Sequence, residues 1–419
     1  MNRKLTKAIT EAAGLLRAPQ RTAPLLKKIV SDKLRIAVDR PHLYSYTKTR
    51  YASPYVLSKV MHWIAEAQRP DGGIPAYYSL LTGYSQSYPE VTGYLIPTLY
   101  DFAGYESARS AENFRTSFAA YRATHWLLSL QMPSGAFPAG LHGAPAQPSI
   151  FNTGQILQGL VRAYIETARP DILASALAAG DWLILTQQQD GSWAGDGAYQ
   201  NSAHTYYSMV SWSLAELAAQ TGKSKFAVAA EKNLDWVLSH FRSNGWIEGI
   251  NLQGHPAYLH FIAYVLQGAL ECAVLRPRNN DNAIDAVANS AWILLRRFET
   301  TKFLPGAYDD NFKSPRRFSC LTGNAQMSCV WLRLFELTHD LRYFNAALKM
   351  NEMLKQLIPL RDRAGILGGV SGSYPIWGSY QPFRYISWGC KFFADALMLE
   401  SRIKQSFDIS AEKVLQCAS

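Results

Sequence analysis

Two histidines, a glutamate and a series of tyrosines are the residues with which this sequence could do chemistry. His204 opens HTYYSMVSW, with Tyr206 and Tyr207 behind it, and His260 stands in YLHFIAY. Imidazoles and phenols can supply the base and the acid of a proton transfer. Glu90 follows Pro89 in SYPEVTGY and adds a carboxyl group, with Tyr88 two residues before it. Amide side chains occur in similar settings, Asn152 and Gln155 in FNTGQILQG and Asn324 and Gln326 in TGNAQMS. GSYPIWGSYQPFRYISWG gathers Tyr374, Trp377, Tyr380, Arg384 and Trp388, and Asp309 lies in AYDDNF. Aromatic faces stack on sugar rings, and nearby arginines favour a sugar that carries a carboxylate. This reading makes His204, Tyr206, His260 and Glu90 the catalytic candidates. The substrate-binding candidates are Tyr88, Asn152, Gln155, Tyr207, Asp309, Asn324, Gln326, Tyr374, Trp377, Tyr380, Arg384 and Trp388.

Each also has a plainer explanation. Glu90 suits the positive end of a helix, Asn152 and Thr322 suit N-caps, and His204 and His260 suit hydrogen-bonded core positions. What is missing narrows the chemistry further. The sequence has no glycine-rich phosphate loop, no GxSxG elbow, no HExxH and no dinucleotide fingerprint. Asp309-Asp310 is only a pair, not an aspartate-rich DDxxD segment, and Cys272, Cys320, Cys329, Cys390 and Cys417 are too scattered for a zinc site. The sequence therefore predicts neither metal nor cofactor, and reduced cysteines.

The elements that must position these residues announce themselves as a repeat. Trp63, Trp126, Trp182 and Trp236 are each followed eight residues later by Asp71-Gly72, Ser134-Gly135, Asp190-Gly191 and Asn244-Gly245, and Trp292 continues the spacing. A tryptophan on the apolar side of a helix, then a polar residue and glycine, reads as a helix stopped by a tight turn. First helices are predicted at about 55–67, 114–131, 171–187, 224–241, 283–297 and 341–357. Second, more apolar helices begin near Glu90, Asn152, His204, His260, Thr322 and Ser387. Six pairs without a polar cap predict an all-α fold, a closed (α/α)6 toroid over residues 41–419. Gly93, Gly154, Gly323 and Gly389 would let the inner helices approach closely, and short extended pieces are expected in loops 69–88 and 363–385. The inner-helix N-termini and their preceding loops would converge on one mouth, rich in free N–H groups.

The net charge of +10 is concentrated at the start: residues 1–40 hold ten Lys/Arg against three Asp/Glu. With Leu15, Leu16, Leu25, Leu26 and Ile29 interleaved, this basic arm could contact an anionic membrane face. No nucleic acid is expected as a partner. Without an h-region or a long apolar run, the sequence reads as cytoplasmic, peripheral to the inner membrane at most.

SYPEVTGYLIPTLYDFA, FNTGQILQGLVRAY, HFIAY, CLTGNAQMSCVWLRLFEL and GSYPIWGSYQPFRYISWGCKFFADALM together resemble the VpsJ-like polysaccharide biosynthesis proteins over roughly residues 50–400. The resemblance implies a role in exopolysaccharide or O-antigen production, on an acidic oligo- or polysaccharide, free or lipid-linked. The arrangement is more distantly similar to glucuronyl 5-epimerases, toroidal polysaccharide lyases and unsaturated glucuronyl hydrolases. Leu259 before His260, and Ser387-Trp388, depart from the expected pattern. Epimerisation or elimination at carbon 5 of a uronic acid is the leading expectation. Hydrolysis by Glu90 with Asp196, Asp309 or Asp310, and a glycan-binding scaffold, are the alternatives.

Overall fold

A computed structural model describes residues 19–38, 51–105, 111–253, 255–275, 281–314, 318–361 and 365–417. Arg316 and Arg317, and most of the arm's first half, lie outside the described residues. Helix α1 (Pro19–Val38) precedes six hairpins. Their outer helices are α2 (Ser53–Ala67), α4 (Ala111–Leu128), α6 (Pro170–Thr186), α8 (Ser224–Leu238), α10 (Asp281–Thr301) and α12 (Leu341–Lys355). Their inner helices are α3 (Pro89–Ala103), α5 (Ile150–Thr167), α7 (Ser208–Thr221), α9 (Leu259–Val274), α11 (Leu321–Thr338) and α13 (Ser387–Cys417). Each inner helix packs on the next, and α13 returns to α3. The Thr98 hydroxyl donates to Asp395 at 2.7 Å across that junction, so the ring closes as the repeat predicts.

The repeat's physical content is a staple between hairpins. Gln68, Gln131 and Gln187 each donate one side-chain amide to the glycine carbonyl of their own turn and to a carbonyl of the next outer helix, Ala119, Ser175 and Ala229. The turn glycines 72, 135 and 191 adopt positive φ and press against that neighbouring backbone. In the fourth copy Phe241 replaces the glutamine, and the Ser290 hydroxyl takes over the Gly245 carbonyl at 2.6 Å. A buried carbonyl left without a donor costs roughly 1–3 kcal/mol, which explains why the staple persists or is substituted.

The inner ring is tight where glycines were expected: a Cβ on Gly93 would lie 2.6 Å from the Ile156 Cα, and one on Gly323 2.8 Å from the His260 nitrogen. Short strands brace the mouth. In one antiparallel sheet, β1 (Tyr77–Ser79) lies between β2 (Gly83–Tyr84) and β7 (Arg384–Ile386). Two further ladders pair β3 (Ala257–Tyr258) with β4 (Ala307–Tyr308), outside the loops where extended pieces were expected, and β5 (Ser319–Cys320) with β6 (Ser373–Tyr374), of which β6 lies inside loop 363–385.

Three local expectations need correction. The N-cap of α5 is Ser149, whose hydroxyl accepts from the Asn152 N–H, and that of α11 is Cys320 rather than Thr322. The sequence window around His204 ends in a 3-10 turn, Thr205–Tyr207, so α7 starts at Ser208. Helix α1 is docked on the ring: Leu25 and Asp32 are buried, and the Asp32 carboxylate accepts the Ile376 N–H at 2.9 Å.

Candidate functional site

Each inner helix turns one stripe of side chains, spaced three and four residues apart, toward the middle of the ring. On α3 the stripe runs Glu90, Tyr94, Thr98, Asp101; on α5 Phe151, Gln155, Gln158, Arg162; on α9 His260, Tyr264, Gln267, Glu271. The members nearest the N-termini form the mouth cluster. The Tyr88 hydroxyl donates to the Glu90 carboxylate. Tyr206 stacks on His204 (4.9 Å between centroids) and on Phe261 (5.4 Å), and Phe151 meets both Tyr206 (5.2 Å) and Tyr264 (5.4 Å) edge-on. His260 lies 4.1 Å from Tyr264, 5.7 Å from Tyr380 and 5.9 Å from Phe392. The Trp388 indole N–H donates to the Tyr380 hydroxyl at 2.9 Å.

Electrostatics distinguish the members. Burial pushes the Glu90 carboxyl up to about 7, and the Tyr88 hydroxyl bond only partly opposes it. The Glu90 charge in turn helps to raise Tyr88, Tyr94, Tyr206, Tyr264 and Tyr380, although burial is the larger cause for each. These phenols therefore stay protonated, and each keeps an O–H with which it can donate. Both histidines move the other way. Burial lowers His204 and takes His260 down to about 3. His204 Nε2 lies 2.9 Å from the Tyr199 carbonyl, and His260 Nδ1 lies 2.7 Å from Gln326 Oε1. The Gln326 amide donates onward to Gln267 at 3.0 Å, which makes the His260 Nδ1 the protonated nitrogen and leaves Nε2 as an acceptor.

The structure thus brings Glu90, Tyr88, Tyr206, His260, Tyr380 and Trp388 to one region. A histidine near 3 is neither an imidazolium donor nor a strong base at neutral pH, whereas Glu90 is the member of the cluster held near neutrality. Several binding candidates are occupied structurally. Asn152 donates to the Pro138 carbonyl, Asn324 to the Ser319 hydroxyl, and the Tyr207 hydroxyl accepts the Tyr199 N–H. Asp309 is exposed and organises its own turn by accepting the Asn311 and Lys313 N–H groups. Tyr374 is buried with Lys28 of α1 over its ring, Trp377 sits on an exposed part of the same loop, and Arg384 stacks 4.1 Å over Tyr77 while donating to Gln381. Gln155 is fully buried with neither amide atom hydrogen-bonded, an open capacity that a ligand or water would fill.

Sequence reasoning missed Phe151, Tyr264 and Phe392. The available signal was the four-residue step from His260 to Tyr264, which puts both on one helix face. Among the described residues no group of three or more His, Cys, Asp or Glu is placed to hold a metal ion.

Neither family models nor curated protein sequences give a match to this chain. Solved structures do. An unsaturated glucuronyl hydrolase specific for heparin superposes with a TM-score of 0.66 at 16% identity, covering 84% of this chain and 98% of the other. Cellobiose 2-epimerase from Spirochaeta thermophila gives 0.64 at 14% identity, covering 83% and 95%, and a D-mannose isomerase 0.64 at 10%, covering 85% and 98%. At these identities the likeness is one of fold, and it places the chain among (α/α)6 toroids.

Proposed function

We propose that this chain is a carbohydrate-active enzyme that removes the carbon-5 proton from a uronic acid residue of a glycan. The observation that carries the reading is the Glu90 carboxyl, held near 7 and ringed by neutral phenols at the mouth of the toroid. An ionised carboxylate with that affinity for protons is a stronger base than an ordinary one. It takes the proton, the C–H electron pair moves into the adjacent substrate carboxyl group, and O–H donors such as Tyr206 and Tyr264 stabilise the resulting enediolate. Return of a proton to the opposite face completes epimerisation, whereas expulsion of the carbon-4 oxygen completes β-elimination. Paired-carboxylate hydrolysis would instead need a second carboxyl group, such as Asp196, Asp309 or Asp310, about 5–10 Å from Glu90. The resemblance to VpsJ-like proteins supports an exopolysaccharide or O-antigen setting, the glucuronyl hydrolase neighbour supports a uronate substrate, and the epimerase neighbour supports sugar chemistry in general.

Incubation of the full chain with uronate-containing glycans in deuterated water tests this directly. Deuterium at carbon 5 or a new 4,5-double bond is expected. New reducing ends without either would replace it by hydrolysis, and saturable binding with no turnover by a scaffold role.

The same reading includes the basic arm as the contact with an anionic membrane. On α1, Leu26, Val30 and Leu34 are 55%, 52% and 60% exposed at four-residue spacing, with Lys27 and Lys33 exposed beside them. Such a ridge suits the interfacial plane of a bilayer, and Asp32 ties the same helix to the loop at Ile376. Among the described residues no helix is long and apolar enough to cross a membrane. The full chain is expected to float with anionic vesicles and not with neutral ones. Serine at Leu26, Val30 and Leu34 together is expected to lower the bound fraction about tenfold or more, at about 0.8 kcal/mol per buried methylene. Undiminished flotation of that variant would remove the assignment.

A further inference from the structure

The lower halves of the inner-helix stripes line a cavity of about 420 Å³, on the side away from the mouth cluster. That volume falls in the ~300–1,000 Å³ range of small-molecule sites. Tyr94, Tyr264 and Phe392 stand between the two regions. All three are buried, and the Phe392 ring lies 6.1 Å from Tyr94 and 5.7 Å from Tyr264. The cavity opens where Asp101, Ile165 and Gln220 reach solvent at the C-terminal ends of their helices.

Its hydrogen-bonding capacity is lopsided. The cationic donors are engaged: Lys391 bonds Asp395, and the Arg162 guanidinium bonds both Asp101 (2.5 Å) and Glu166 (2.8 Å). The acceptors are less fully used. Gln158 is 4% exposed, lines the cavity, and its Oε1 has no hydrogen-bond partner. Glu216 also lines it and takes a side-chain hydrogen bond from the Trp212 indole. A buried acceptor without a donor is costly, so a ligand that brings donors is favoured. The apolar part of the wall, Val161, Leu275 and the Trp212 ring, suits a carbon skeleton and, at the indole, a cation.

We propose that this cavity is a second ligand site, separate from the mouth, for a small molecule that carries a primary ammonium group on a hydroxylated or amine-bearing carbon skeleton. Amino sugars and short aliphatic diamines share that chemistry. The charges facing Glu216 fit it. Lys391 of α13 and Arg162 of α5 favour its ionisation, Glu271 of α9 opposes it, and burial outweighs them all, holding the carboxyl at about 8. Asp101 and Asp395 complete the charged lining and are already paired, as is Glu271, to Arg333 at 2.7 Å. The empty site therefore holds Glu216 protonated at neutral pH. An arriving ammonium stabilises the carboxylate and must expel that proton.

Calorimetric titration of the full chain with glucosamine, putrescine and glucose, in two buffers of different ionisation heat, tests the proposal. At neutral pH at least one ammonium compound is expected to bind at millimolar concentration or below with release of a proton, and glucose is not. Preference for glucosamine or for putrescine identifies the source of the ammonium group. Glu216→Gln is expected to weaken binding about tenfold or more and to abolish proton release, since a charged contact is replaced by a neutral one. Glu90→Gln is expected to change neither, which separates this site from the mouth whatever the mouth's reaction proves to be. Should Glu216→Gln not fold, putrescine affinity of the native chain decides: tightening as pH rises from about 6 to 8 supports the site, and a flat response overturns it. Equal binding of glucose, binding indifferent to Glu216→Gln, or no ammonium binding at millimolar concentration would also overturn it.

Discussion

Replacing Glu90 by glutamine is expected to lower kcat by about 10²–10⁴-fold, the usual contribution of a general acid–base group, while the protein becomes no less stable. In the native chain, kcat/KM is expected to rise with pH through about 7, because the carboxyl must be ionised to accept a proton and burial holds it at that value. The variant's residual activity should lack this limb. Stability runs in the opposite sense. A carboxyl raised from 4.5 to about 7 on folding contributes stability that is fully present below about pH 4.5. That contribution is lost as pH rises through about 7, up to about 3 kcal/mol. Glutamine carries no such loss, so the native chain should lose more stability than the variant between acidic and mildly alkaline pH. Thermal melting of both proteins across that range, beside their rate profiles, checks the two halves together. An ascending limb that survives in the variant would assign the base elsewhere. An equal pH dependence of melting would remove Glu90 as a buried titrating group.

The second large effect concerns the architecture. Gly191→Ala is expected to destabilise the protein by at least about 3 kcal/mol, combining left-handed backbone strain with overpacking. Gly191 has φ +90°, and an added Cβ would lie 2.3 Å from the Lys232 carbonyl oxygen and 2.6 Å from its carbon. Retreat is blocked because the Gly191 carbonyl already accepts from Gln187 at 3.0 Å and from Asn233 at 2.8 Å. Gly195 supplies the internal comparison: its φ is +80°, yet nothing lies within 4 Å of the Cβ position. Gly195→Ala should therefore cost only about 1 kcal/mol. Urea or thermal unfolding of the two variants measures the difference. Similar losses would mean that backbone conformation alone, and not the seating of the turn against the neighbouring hairpin, sets the requirement.

The sequence by itself determined the toroid, because the toroid is written in local terms. A tryptophan eight residues before a polar-Gly pair states where a helix ends and which side of it is buried. Repetition of that statement sets the number of hairpins, and helical periodicity supplies the inner faces. Glu90, His204 and His260 were visible as polar residues at helix starts for the same reason. Their division of labour was not, since an acidity depends on what surrounds a group in three dimensions. Glu90 is half-buried and His260 buried, and desolvation opposes charge in each. It turns the carboxylic acid into a group that titrates near neutrality and makes the imidazole inert over the same range. Asn152 and Asn324 looked available in the chain, but the Pro138 carbonyl and the Ser319 hydroxyl that claim them are 14 and 5 residues away and are brought up only by the returning loops. Tyr264 and Phe392 look like ordinary core aromatics until ring closure sets them side by side, between the mouth cluster and the cavity that Glu216 lines. Local pattern decides which elements form, whereas desolvation and hydrogen-bond competition act between elements, and only the closed ring settles them.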